Sequence, residues 1–130
     1  MGLRTRASWF GVALDAPDAS ELAHFYAGLL GWTVFTDSPQ WCTVAPSQEA
    51  GYNLAFQTAP EYVRPVWPAE PGRQQMSMHL DLEVDDLGEA VAFARSRGAE
   101  LAAHQPQEDV RVMLDPAGHP FCLYVEAGQR

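Results

Sequence analysis

Two short segments of the chain carry the side chains whose types and spacing could do chemistry. In residues 79–84 and 121–126, polar residues alternate with Leu, Phe or Val, which is the period of a strand with one polar face. The polar members are His79, Asp81 and Glu83 in the first segment, and Cys122, Tyr124 and Glu126 in the second. If the two strands lie in one sheet, an imidazole, a thiol and several carboxylates share a surface.

Each of these groups has a functional interpretation and a structural one. His79 could bind a metal, act as a general base, or form hydrogen bonds to a ligand in a cavity wall. Cys122 becomes a nucleophile only if its pKa is lowered, which a neighbouring imidazole could do; otherwise it is a small apolar residue. The carboxylates of Asp81, Glu83 and Glu126 suit proton transfer or cation binding, or they are solvated strand residues.

The elements that position these residues follow from the periodicity of the chain. Residues 78–84 are predicted as a strand, and the apolar spacing then changes to that of a helix that begins after Asp86 and ends near Gly98. A strand from Trp9 and a helix between Asp18 and Gly31 form the same arrangement earlier in the chain. Further strands are predicted at 32–36, 40–46, 51–57, 99–104, 110–114 and 120–126, with a turn at 115–118 before the last one.

The chain is therefore predicted to contain one unit twice. Shifting the sequence by 68 residues places Asp18 on Asp86, Phe25 on Phe93 and Gly11 on His79. The predicted fold class is α+β, with paired βαβββ modules at 8–57 and 77–127 in one domain of 130 residues. The modules are expected to form a curved mixed sheet with the helices outside and the polar strand faces lining a cavity.

The Pro-rich segment 58–76 is predicted to be an ordered connection between the modules. It contains four prolines, and its aromatic residues would be unusual in a disordered linker. Trp67 is the tryptophan that we expect to cover a ligand at the mouth of the cavity. Gln57, at the end of the strand before this segment, is expected on the cavity side with Asp15.

Composition excludes several classes of partner. The formal net charge is −9, with 17 acidic and 8 basic residues, which argues against binding to nucleic acid or to an anionic membrane. No apolar run approaches a membrane span, and the N-terminal residues lack the core of a signal peptide. Two cysteines do not make a disulfide framework. These features are typical of a cytoplasmic protein that binds a small, neutral or cationic molecule.

Several segments resemble the vicinal oxygen chelate superfamily, which includes glyoxalase I, extradiol dioxygenases, fosfomycin-modifying enzymes and bleomycin-resistance proteins. The resemblance covers about residues 8–127 and is carried by the paired units, by Phe25 to Trp32, by His79 to Asp85 and by Asp115 to Gly118. The final strand, with Gly118 to Leu123 reading Gly-His-Pro-Phe-Cys-Leu, is similar to that of the glyoxalase-like branch.

The resemblance implies where a divalent metal would bind. Metal enzymes of this superfamily place ligands at the start of the first strand of each unit and near the end strands, positions that fall here on Gly11, Gln57, His79 and Cys122. Of these, His79 is the only ligand of the superfamily that is retained. Because His79 and Cys122 alone do not make a catalytic site, we expect no tightly bound metal or other cofactor.

The sequence thus favours a metal-independent protein that binds or sequesters a cationic or aromatic compound, as antibiotic-binding members of the bleomycin-resistance branch do. The expected ligand-binding residues are His79, Asp81, Gln57, Cys122, Tyr124, Glu126 and Trp67. The alternative is an enzyme, a glyoxalase-like lyase or isomerase or a dioxygenase-related protein, in which His79 acts with Glu126 or Asp81. A two-fold symmetric homodimer is expected, because each unit exposes strand edges.

Overall fold

The structure is a computed structural model, and it describes residues 2–4 and 8–126. The chain divides into two compact units, Met1–Tyr62 and Val63–Arg130. Both units have the element order strand, helix and three strands, so the predicted α+β repeat is confirmed. Within the described residues, neither helix has the length and apolar character needed to cross a membrane.

The first unit is a four-stranded mixed sheet that packs against one helix. Its elements are β1 (Phe10–Ala16), α1 (Ala19–Leu30), β2 (Thr33–Asp37), β3 (Trp41–Ala45) and β4 (Tyr52–Thr58). The sheet order is β1-β4-β3-β2, with β1 parallel to β4 and the other pairs antiparallel. The first strand of the unit therefore pairs with the last one.

Helix α1 begins and ends where the sequence predicts. The Asp18 carboxylate accepts hydrogen bonds from the backbone N–H groups of Ser20 and Glu21, which have no partner within the helix. Gly31 ends the helix with a left-handed φ of 71°, a conformation that costs little only without a Cβ. The buried face packs Tyr26 against Phe56 of β4, with ring centroids 5.7 Å apart.

The second unit repeats this architecture. Its elements are β5 (Leu80–Glu83), α2 (Leu87–Ser96), β6 (Glu100–Leu101), β7 (Val110–Leu114) and β8 (Pro120–Tyr124). The sheet order is β5-β8-β7-β6, with β5 parallel to β8. The Asp86 carboxylate caps α2 by accepting from the Glu89 N–H, and Gly98 follows the helix with a φ of 110°. Met113, Phe121 and Leu123 are buried in the core of the unit.

Three strand boundaries in this unit differ from the predictions. Strand β5 begins at Leu80 and β8 ends at Tyr124, so His79 and Glu126 lie just outside the strands. Strand β6 has two residues rather than six, because the Gln105 side chain bonds both the N–H and the carbonyl of Val112. A side chain that bonds backbone groups in this way competes with a strand ladder.

The connection between the units belongs largely to the second one. Val66 forms a bridge with Gln75, and the Arg64 guanidinium donates to the Pro116 carbonyl, so this Pro-rich segment is ordered as expected. The Arg64 side chain also lies over Gly118, where a Cβ would overlap it. The division between the two units falls between Tyr62 and Val63, within the predicted connection 58–76.

The β7–β8 turn depends on one buried carboxylate. Asp115 is 1% exposed, and its Oδ1 accepts from the N–H groups of Ala117 and His119 at 2.9 and 3.0 Å. The Gly118 N–H donates to the Asp115 carbonyl, and Gly118 has a φ of 91°. This turn sets where β8 begins.

We expect Asp115→Ala to destabilise the protein by about 2–3 kcal/mol, because the buried N–H of Ala117 and the part-buried N–H of His119 would lose their acceptor. Chemical denaturation followed by far-ultraviolet circular dichroism measures the effect. Asp115→Asn is the matched control: its amide oxygen can still accept, so it should cost less. Equal and small effects of the two substitutions would contradict this account of the turn.

Candidate functional site

The parallel pairing of β5 with β8 creates the principal cluster of polar side chains. The register sets Asp81 opposite Cys122 and Glu83 opposite Tyr124. Paired residues in a sheet project to the same side, so these four side chains share one surface. We call it the Asp81 face; it also carries Val110 and Val112 of β7, which pair with Tyr124 and Cys122.

His79, Asp81 and Cys122 form a compact cluster on this face. His79 Nε2 lies 3.0 Å from Asp81 Oδ1, and the Cys122 thiol donates a hydrogen bond to the same carboxylate. The three donor atoms all lie within 4.8 Å of one another. The His79 side chain is 36% exposed and that of Asp81 58%, so solvent and small molecules can reach the cluster.

The environment of Cys122 does not favour a reactive thiolate. Burial, and then the neighbouring Asp81 charge and its hydrogen bond, raise the pKa of the Cys122 thiol to about 11. The sequence suggested that an imidazole could lower this pKa. Burial has the largest effect on the thiol and Asp81 adds to it, so a nucleophilic Cys122 is disfavoured.

The Asp81 face contains a row of three residues that changes from acidic to apolar across the sheet: Glu83, Tyr124 and Val110. The exposed Glu83 lies beside the half-buried Tyr124, and Tyr124 lies beside the half-buried Val110. The neighbouring row of the face changes in the same direction, from the exposed Asp81 through Cys122 to the buried Val112. The face is thus charged at its β5 edge and apolar at β7.

The other predicted site residues do not belong to β5 or β8. Gln57 belongs to the first unit, where its side-chain N–H donates to Asp15 Oδ1 at 2.7 Å. Trp67 is half-buried, and its indole N–H donates to the carbonyl of His104, in the segment after β6 at the opposite edge of the sheet from β5. Glu126 is exposed and follows the end of β8. The structure therefore gathers His79, Asp81, Cys122, Glu83 and Tyr124 at β5 and β8, and the hydrogen bond that it gives the Trp67 indole is to His104.

The corresponding face of the first unit has small side chains at the equivalent positions. Shifting by 68 residues and following the registers makes Gly11 the counterpart of His79 and Ala55 the counterpart of Cys122. Gln57 corresponds to Tyr124 and not to Cys122, because Gln57 pairs with Asp15, the counterpart of Glu83. A Cβ on Gly11 would overlap Asn53 Oδ1, so the amide of Asn53 occupies the space that a ligand side chain would need. A metal-ligand set drawn from both units, as the resemblance implies, does not fit these residues.

A polar cluster that sequence reasoning missed lies in the first unit. The Asp37 carboxylate bonds His24 Nε2 at 2.8 Å and accepts hydrogen bonds from Ser20 and Cys42. These hydrogen bonds hold the pKa of the Asp37 carboxylate below its usual value, and the bond from His24 has the largest effect. The cluster ties α1 to β2 and β3. The four-residue spacing of Ser20 and His24, one helical turn, was the signal that the two share a face of α1.

The thiol of Cys122 provides a direct test of the cluster. In a Cys42→Ser background, Cys122 should react with a thiol reagent at neutral pH about a hundredfold more slowly than an ordinary cysteine, because the raised pKa leaves little thiolate. Asp81→Asn should lower the pKa and speed the reaction, and Glu83→Gln should change it little. Fast reaction of the parent protein, or equal effects of the two substitutions, would contradict the described contacts.

Comparison with known proteins gives a consistent family assignment. Residues 11–124 match the model of the glyoxalase-like domain family. A glyoxalase/bleomycin resistance protein/dioxygenase family enzyme from Burkholderia phytofirmans PsJN is 16% identical, with a TM-score of 0.66 over 88% of this chain and 95% of that one. A glyoxalase-related enzyme from Fulvimarina pelagi is 20% identical, with a TM-score of 0.62 over 89% and 86% of the two chains.

A search of curated proteins gave no significant match. The structural similarities, at these identities, show the fold alone. The family model, however, spans both units and includes His79, Asp81, Glu83, Cys122 and Tyr124. The chain therefore belongs to the glyoxalase-like domain family, within the vicinal oxygen chelate superfamily.

Proposed function

We propose that the Asp81 face binds a small cationic molecule with an aromatic or aliphatic body and sequesters it without the help of a metal. The row of Glu83, Tyr124 and Val110 carries this proposal. A carboxylate attracts a cation, an aromatic ring adds a cation–π contact, and an aliphatic side chain covers the apolar part of the molecule. The face changes from charged to apolar, as such a ligand would require.

The charges of the protein support a cationic ligand. The sequence has no lysine and a net charge of −9. Within the described part of the chain, the ion pairs join His24 to Asp37, Arg73 to Glu70 and His79 to Asp81, and none of them involves Glu83. A negative surface raises the local concentration of cations, and it does so more strongly at low ionic strength.

A second candidate function is proton transfer by a lyase or isomerase. The contact between His79 Nε2 and Asp81 Oδ1 at 3.0 Å favours it, because a carboxylate that holds one ring nitrogen leaves the other, Nδ1, to accept a proton from a substrate. Analysis of the bound compound separates the two functions. A ligand recovered unchanged supports sequestration, and one recovered in altered form supports catalysis.

The homodimer and the cytoplasmic location stay predictions.

Calorimetric titration with a panel of aromatic amines and matched carboxylic acids tests the proposed ligand class. We expect saturable binding of an amine that weakens as salt is added. Glu83→Gln should weaken this binding about three- to tenfold. The substitution removes a partly screened contact between the carboxylate and the cation, and the cation is then held less firmly against the Tyr124 ring. Tyr124→Leu should act similarly, while Tyr124→Phe, which keeps the ring, should bind nearly as well.

The matched control is Glu100→Gln. It removes the same charge from the same sheet but lies on β6, about 14 Å from β5 at three strand spacings. A loss of affinity equal to that of Glu83→Gln would show that only the net charge matters, and it would contradict a site at Glu83. Binding of the acids but not of the amines would overturn the proposed ligand class.

A further inference from the structure

The row of Glu83, Tyr124 and Val110 has a fixed direction and a fixed length. These residues are partners across β5, β8 and β7, so the row crosses the strands instead of following one of them. Neighbouring strands lie about 4.8 Å apart, which places Glu83 about 10 Å from Val110 along the row. The carboxylate stands at one end and the aliphatic side chain at the other. A ligand that contacts both ends must match the distance between them.

The charged end of the row carries the carboxylate of this face that a ligand can reach most easily. Glu83 is exposed, and among the described residues no side chain forms an ion pair with it. The Asp81 carboxylate, by contrast, lies 3.0 Å from His79 Nε2 and accepts a hydrogen bond from the Cys122 thiol. An ammonium group at Asp81 would have to replace these contacts, which costs free energy. We therefore expect the ammonium group at Glu83.

The apolar end of the row is held in place by the backbone around it. Strand β7 begins at Val110, and the short β6 pairs further along β7, so neither strand extends the row past Val110. The Arg111 guanidinium donates hydrogen bonds to the carbonyls of Gln107, Glu108 and Val110, which fixes the chain where it enters β7. Val110 itself is half-buried. Its side chain therefore sets where the apolar part of a ligand can rest.

We propose that Val110 selects the ligand by its length. The ligand class is an arylalkylamine that lies across the strands, with its ammonium group between Glu83 and Tyr124 and its ring against Val110. This inference rests on the proposed function and narrows its ligand class. An ammonium group midway between β5 and β8 lies about one and a half strand spacings, or about 7 Å, from β7. With single bonds of about 1.5 Å, about three to four methylenes between the nitrogen and the ring span this distance.

The selection follows from the burial of apolar surface. A shorter linker leaves the ring over Tyr124, where it does not reach Val110 and loses that contact. A longer linker carries the ring past Val110 toward solvent, or it must bend, and bending into one conformation costs entropy. An unstructured apolar surface would instead bind each longer amine more tightly, because every added methylene buries more area. A maximum of affinity at one linker length is therefore specific to this arrangement.

Calorimetric titration with phenylalkylamines of one to six linker methylenes tests the proposal. We expect the affinity to rise about two- to fourfold per methylene, to reach a maximum at about three or four, and then to fall. Val110→Leu, which has a longer side chain, should move the maximum to a linker shorter by about one methylene. Val110→Ala should move it to a longer one. A partly unfolded variant would not produce these shifts, because the loss of folded protein affects every amine alike.

Two further substitutions separate this inference from the proposed function. Glu83→Gln should weaken every amine by a similar factor and leave the maximum in place. Leu101→Ala removes an exposed apolar side chain from β6, outside the row, and should change neither the affinities nor the maximum. If the affinity rises through the whole series, or if neither Val110 substitution moves the maximum, this inference is overturned and the proposed function stands. If none of the amines binds, both are overturned.

Discussion

The parallel pairing of the first strand of each unit with its last strand is the constraint on which the rest depends. In the second unit, β5 and β8 are separated in sequence by α2 and two further strands, yet they are neighbours in the sheet. A parallel pair requires such a crossover, and α2 provides it. The register that results puts Asp81 beside Cys122 and Glu83 beside Tyr124. The contact of Asp81 with Cys122, its contribution to the raised pKa of the thiol and the acidic-to-apolar change across the face all follow from this register.

The two units share one architecture but carry different side chains at corresponding positions of the sheet. Their element order and sheet order correspond, and both helices are capped by an aspartate, Asp18 or Asp86. At the position of His79, however, the first unit has Gly11, and at that of Cys122 it has Ala55. The fold alone therefore does not confer a function, and the side chains at a few registered positions decide it.

Much of the fold could be predicted because it follows from local patterns. Alternation and helical spacing located both helices and most strands, and Asp18 and Gly31 act as predicted. Residue types also identified the Asp81 face. The predictions were weaker where a distant partner decides the structure: Gln105 shortens β6 by bonding Val112, and the Trp67 indole donates to the His104 carbonyl.

The same reason limited the prediction of the site. Periodicity placed Asp81 and Cys122 on polar faces, but it could not show that they are partners, because register between strands 41 residues apart is set by the packing of the whole unit. The influence of Asp81 on the Cys122 thiol was therefore missed. The contacts of Asp37 with His24 and Cys42 were missed for the same cause.

The central claim is that ligand chemistry resides on the Asp81 face of the second unit. Mapping amide chemical-shift changes by nuclear magnetic resonance, as an aromatic amine is added to isotope-labelled protein, tests it most directly. The account predicts that the largest changes cluster at Asp81, Glu83, Val110, Cys122 and Tyr124, and that the region of Asp15 and Gln57 changes little. Changes concentrated in the first unit, or spread evenly over both, would contradict the account.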